Sequence, residues 1–147
     1  MAQAYARLIR TPSLSNVPEK VRSALALSVR KHALLIQRSI RQDMAKPKHG
    51  RVYLYRGKPH VASAPGESPA IRSGALWRAV VPQYSRTGLQ ARFAPKVPGK
   101  PPYPRFLEHG TSRMAPRPYL RPGVDRWRQA FIVDARTILS TFLARRR

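Results

Sequence analysis

The last third of the chain constrains the fold more than any other part. Val124, Trp127, Phe131, Ala135, Ile138 and Phe142 recur at spacings of 3, 4, 4, 3 and 4. An α-helix turns once in about 3.6 residues, so these side chains share one face. The spacing predicts a helix from Pro122 to about residue 144. Proline opens it where a missing N–H has no intrahelical partner to lose. Burying the large side chains of that stripe stabilises by roughly 8–15 kcal/mol before conformational entropy is set against it. Ile132, Leu139 and Leu143 form a second apolar row. A helix apolar on two sides meets two surfaces. Here these are expected to be the chain's own sheet and a neighbouring subunit.

A second long helix is predicted from Asn16 to about Met44. Asn16 and Glu19 make an N-x-x-E variant of the capping box, with Pro18 in the first turn. Val21, Leu25, Val29, His32, Ile36 and Ile40 form its apolar stripe. His32 is expected at the edge of the core rather than on a metal, because no second ligand lies at helical spacing.

Between the two helices the composition changes. All eight glycines lie within residues 50–123, and thirteen of the fifteen prolines within 47–122. Residues 51–55 and 59–63 read as a hairpin around the turn 56–58, with Pro59 marking an edge or a strand start. Ser73 is expected to cap a single helical turn. Residues 79–94 read as a second hairpin around Arg86-Thr87-Gly88. Two loops, 64–70 and 95–102, carry Pro65, Gly66, Pro69 and Pro98 and are long enough to reach a neighbouring subunit. Together these pieces predict an α+β fold: long N- and C-terminal helices packed on a small, mostly antiparallel sheet, with long Pro-rich loops. Residues 1–15 are read as an N-terminal arm and 16–147 as a single domain. The arm is either a frayed terminus or a segment that orders on a neighbour.

Charge narrows the partners. Lys and Arg number 29 against 6 Asp and Glu, for a net charge of +23. Residues 1–73 hold 14 of the basic and 3 of the acidic residues, and residues 74–147 hold the other 15 and 3. The excess therefore covers the whole domain, which repels itself unless an anionic partner is near. Nucleic acid and an acidic protein surface both fit. Lys96, Lys100, Arg145, Arg146 and Arg147 are the candidate anion or DNA contacts. The terminal arginines equally suit a solvated basic end or the negative pole of a helix C-terminus.

Several function classes fall away. With no cysteine, disulfides, thiolate zinc sites and cysteine nucleophiles are excluded. No apolar run approaches 18 residues, so no membrane span is predicted, and residues 1–10 lack the core of a secretory signal. The expected setting is the cytoplasm or a particle assembled there. The carboxylates Glu19, Asp43, Glu67, Glu108, Asp125 and Asp134 are scattered without a D-x-D or E-x-x-H pattern. No G-x-S-x-G elbow or phosphate-cradling glycine loop is present. The chain reads as a non-enzyme without metal or cofactor.

The residues leading into the last helix form a dense corner. Tyr103 to His109 is predicted as a short helix, seated by Phe106 and Leu107 and stopped by Gly110. Glu108 is expected to pair with Arg105, Arg113 or Arg117 in a structural role. Residues 111–121 bridge to the last helix through Arg117-Pro118-Tyr119-Leu120-Arg121-Pro122.

The order Tyr103-x-x-x-Leu107-Glu108-x-Gly110-Thr111, then Arg117-Pro118-Tyr119-Leu120-Arg121-Pro122, resembles a family of tailed-bacteriophage neck proteins, the tail-completion or head–tail joining proteins. Ala62-Ser63-Ala64-Pro65-Gly66-Glu67-Ser68-Pro69-Ala70, followed by Ser73-Gly74-x-Leu76, is similar to the upstream half of the same pattern. The resemblance covers about residues 50–135. It implies a non-enzymatic α+β ring subunit of the virion neck, commonly hexameric, between the connector (portal side) and the tail tube. Genome DNA passes through the lumen of such a ring. The basic excess is larger than the resemblance requires. Within the neck, a tail terminator or connector-adaptor ring is the alternative. Outside it, the alternative is a basic nucleic-acid-binding module that forms no ring.

Overall fold

The computed structural model describes residues 17–98 and 102–144. The predicted arm, Asn16, Lys100 and Arg145 to Arg147 lie outside the described residues.

Helix α1 (Glu19–Ala45) starts later than the capping pattern predicts. Pro18 precedes it with ψ 148° and no side-chain cap. Its carbonyl accepts the N–H groups of Val21 and Arg22 at 3.0 and 3.1 Å. A residue before proline is pushed towards extended backbone, so Val17 does not join the helix. The predicted stripe is buried: Val21, Leu25, Val29, His32, Ile36 and Ile40, continued by Met44.

Strands β1 (Val52–Tyr55) and β2 (Lys58–Val61) pair antiparallel with Tyr55 opposite Lys58. Arg56 and Gly57 form the turn with φ of +53° and +75°. Positive φ at both positions matches the twist of the strands that a two-residue turn must join. After helix α2 (Ala75–Ala79), strands β3 (Pro82–Tyr84) and β4 (Ala91–Phe93) make the second hairpin, with Pro82 opposite Phe93. Gly74, in a left-handed conformation, occupies the N-cap position of α2, and Ser73 stands one residue ahead of it. Helices α3 (Tyr103–His109) and α4 (Leu120–Ala144) complete the chain.

The architecture is the α+β one predicted, with a difference in how the strands associate. They form two separate two-stranded hairpins rather than one sheet. The long helices consequently pack on each other. Asp134 meets Lys31, Phe131 stacks edge-on against His32, and Gly123 abuts Ile40, so α4 runs antiparallel to α1. A Cβ on Gly123 would collide with the Ile40 side chain. Around this crossing lies the main core of Ile36, Ile40, Met44, Leu76, Val80, Phe93, Tyr119, Leu120 and Val124.

This arrangement corrects two expectations. The stripe on α4 lies mainly against α1, with Phe93 and Ala91 of β4 joining only in part, and only Leu120, Gly123 and Val124 are buried. Trp127, Phe131, Ala135, Ile138 and Phe142 are half-buried. A single helix shields one flank of a stripe, so full burial overstates its contribution. On α3, Phe106 is 40% exposed, while Pro104 is buried and Tyr103 and Leu107 pack on the core. At about 100° per residue, Tyr103, Pro104 and Leu107 fall in one arc and Phe106 lies outside it. Among the described residues no helix is long and apolar enough to cross a membrane.

Candidate functional site

Glu108 does not pair with the arginines expected of it. Its Oε2 accepts the N–H groups of Tyr119 and Leu120 at 2.8 and 2.9 Å, and its Oε1 accepts that of Arg121 at 2.9 Å. These are the first donors of α4. The next residue is Pro122, which has no N–H. A helix N-terminus leaves four donors without intrahelical partners. Here one carboxylate from α3 takes three, and proline removes the fourth. The negative charge also sits at the positive pole of the helix. The helix thus begins at Leu120, two residues before the predicted Pro122.

The rest of the corner supports this cap. Gly110 ends α3 with φ +75°, its N–H donating to the Phe106 carbonyl at 2.8 Å. A Cβ there would lie 2.8 Å from the Met114 carbonyl oxygen. Thr111 and Met114 close the following turn, with Thr111 N–H donating to Met114 O at 2.8 Å. Arg117 N–H donates to the Leu107 carbonyl at 2.7 Å, and half-buried Pro118 leads into Tyr119. Tyr119 is 2% exposed, with its hydroxyl 3.4 Å from the Pro104 carbonyl.

The two sequence patterns that are far apart along the chain meet at this corner. Arg117 Nε donates to the Ser63 carbonyl at 3.0 Å, and Gly66 N–H donates to the Pro116 carbonyl at 3.0 Å. Loop 64–70 is also fastened to the end of α1. Glu67 accepts the backbone N–H groups of Ala64 and His49 at 2.8 and 3.2 Å and sits 2.7 Å from His49 Nδ1. The Ala64 N–H, then the His49 ring and N–H, lower the Glu67 carboxyl to about 2. Ser68 Oγ donates to the Asp43 carbonyl at 2.6 Å, and Lys48 Nζ donates to both groups at 2.8 Å. The loop is therefore tied down at both the end of α1 and the corner. Pro69 is buried within this chain, which removes it from the candidate subunit interface, whereas Pro65 and Gly66 are exposed.

All six carboxylates are engaged by the chain's own groups. Besides Glu67 and Glu108, Glu19 lies 3.8 Å from Arg22, and Asp125 lies 3.7 Å from Arg121. Asp43 holds Lys46 at 2.6 Å and Arg126 at 3.1 Å. Burial tends to raise the Asp43 carboxyl, but hydrogen bonds from Lys46 and Arg126 bring it below the ordinary value. Asp134 binds Lys31 at 3.1 Å, and that bond lowers its carboxyl. His32 is 2% exposed, its Nδ1 lying 2.9 Å from the Ser28 carbonyl. Among the described residues the basic side chains outnumber the carboxylates that could neutralise them.

The remaining candidates separate in space. Ile132 and Leu139 are half-buried on α4, and Leu143 is 63% exposed. Lys96 and Pro98 are exposed in the second loop. Two features carried little warning in sequence. Gly123 shows only as a glycine within a helical pattern, which hints at close packing. Glu108 has no helical neighbour that announces it as the cap of a helix starting twelve residues later.

No family model, curated protein or solved structure matches this chain.

Proposed function

We propose that this chain is a non-enzymatic structural subunit of a bacteriophage neck, assembling into a homo-oligomeric, hexameric ring between the connector and the tail tube. The observation that carries this reading is the apolar surface left over on α4. Leu143 is 63% exposed, in one row with the half-buried Ile132 and Leu139. Heterologous contacts through such a face close rings. The stitched corner supports it as well, since both halves of the neck-like sequence pattern converge there. Genome DNA in the lumen would meet part of the surplus cations, and acidic neck proteins the rest.

Sedimentation velocity and negative-stain electron microscopy test the reading. The expected result is a ring, with Leu139→Asp and Leu143→Asp together giving a monomer of unchanged far-UV circular dichroism. A wild-type chain that stays monomeric at high concentration sinks it. The net charge of +23 favours a second reading, a basic module on nucleic acid. A steep fall of duplex-DNA affinity with salt, without any ring, supports that one instead.

A further inference from the structure

Among the described residues, the β1–β2 hairpin places no buried side chain in the core. Val52, Leu54 and Val61 are 61%, 74% and 37% exposed. Val52 stands opposite Val61 and Leu54 opposite Pro59, so these four side chains share one outward apolar face. On the other face Tyr53 packs edge-on against His60 at 5.2 Å. There the guanidinium groups of Arg72 and Arg56 lie over the Tyr55 ring at 5.0 and 5.6 Å.

The register assigns the backbone groups too. Ala62 N–H donates to the Arg51 carbonyl at 3.0 Å, so residues 51 and 62 form a bonded pair. Bonded pairs alternate along an antiparallel ladder. Residues 53 and 60, and 55 and 58, therefore bond each other, while Val52, Leu54, Pro59 and Val61 turn their N–H and C=O groups outward. Pro59 has no N–H, which blunts the edge of β2. The edge of β1 keeps both donors and both acceptors. Among the described residues no other segment forms backbone hydrogen bonds with Val52 or Leu54.

We propose that the free edge of β1 takes an extended segment of a partner protein in which apolar and acidic residues alternate. Pairing along β1 sends alternate side chains to opposite faces. The apolar set extends the Val52 and Leu54 face, and the carboxylates fall on the Tyr55 side beside Arg56 and Arg72. Charge complementarity chooses this occupant. Residues 51–61 carry Arg51, Arg56 and Lys58 and no carboxylate, so pairing two copies edge to edge sets cation against cation. A phosphate backbone gains nothing from an exposed valine–leucine face. The inference names a partner class for the neck subunit and depends on that reading only for which protein supplies the strand.

The test uses the full chain and a short fluorescent peptide alternating valine and glutamate. Fluorescence anisotropy is expected to show salt-sensitive binding. The amides of Val52 and Leu54 are expected to gain hydrogen-exchange protection. Leu54→Pro removes an outward donor without touching the hairpin's own ladder and should weaken binding by at least about tenfold. Arg72→Gln, which leaves the backbone alone, should weaken it roughly two- to fivefold and flatten the salt dependence. Absent peptide binding, or binding indifferent to Arg72→Gln, overturns the proposal. So does a result in which Arg72→Gln weakens binding of a short DNA duplex and not of the peptide. If Leu54→Pro dissolves the ring in the absence of peptide, the edge is a contact between copies and the proposal is wrong. A failure of wild type to form any ring strikes the neck reading alone.

Discussion

The two halves of α4 share one apolar periodicity and differ in what covers it. In the first, Leu120, Gly123 and Val124 are buried beneath α1, the corner and the hairpin of β3 and β4. Its N-terminal donors are taken by Glu108, and its backbone approaches α1 closely at Gly123. In the second, from Phe131 onward, no described side chain is buried, and Leu143 of the second apolar row is mostly in water. Periodicity tells which side chains share a face. It does not tell how many surfaces arrive to cover that face. The first half is completed by its own chain, and the second is left with surface for another.

The largest effect is expected in the completed half. Tyr119→Ala removes a buried ring from the main core and should lower unfolding free energy by about 3–5 kcal/mol in urea titrations. Glu108→Ala leaves three helix donors without their acceptor and should cost about 1–3 kcal/mol. Glu108→Gln should rescue little, because its amide nitrogen turns a donor towards a donor. Gly123→Ala normally gains up to about 1 kcal/mol of helix propensity. Here the methyl meets Ile40, and a net loss of about 1–2 kcal/mol is expected. Pairing it with Ile40→Val should recover part of that loss in a double-mutant cycle.

Glu67 gives a pH test of the loop that ties the corner to α1. Its folded carboxyl is lowered from 4.5 to about 2. A depressed carboxyl stabilises fully above its unfolded value, and that contribution fades as pH falls towards 2. Thermal melting followed over that window should therefore drop more steeply in wild type than in Glu67→Gln. The smallest effect on stability belongs to the uncovered half. Leu143→Ser should change unfolding free energy by less than about 0.5 kcal/mol, yet weaken self-association measured by sedimentation. A loss as large as that of Tyr119→Ala would show that the distal half is core after all.

Much of this division was legible in the residues. The stripes of α1 and α4, both hairpins, the stop at Gly110 and the importance of the corner follow from spacing and turn chemistry, which are local. Leu107 seats α3 as its apolarity predicts, whereas Phe106 does not, because helix geometry turns Pro104 inward in its place. The role of Glu108 was hidden for a different reason. Its partners are backbone N–H groups of another helix, and backbone donors carry no sequence label.

By itself the sequence determined the α+β class, the two amphipathic helices and the surplus of cations, because each rests on composition or on contacts between near neighbours along the chain. Tertiary structure alone decided that the strands split into two hairpins, that α4 lies on α1, and that the Glu108 carboxylate closes the start of α4. Those outcomes depend on which surfaces meet in space. Two helices with equally good stripes have many ways to be covered, and contacts distant in sequence, among them the close approach at Gly123 and the three donors converging on one carboxylate, accompany this one.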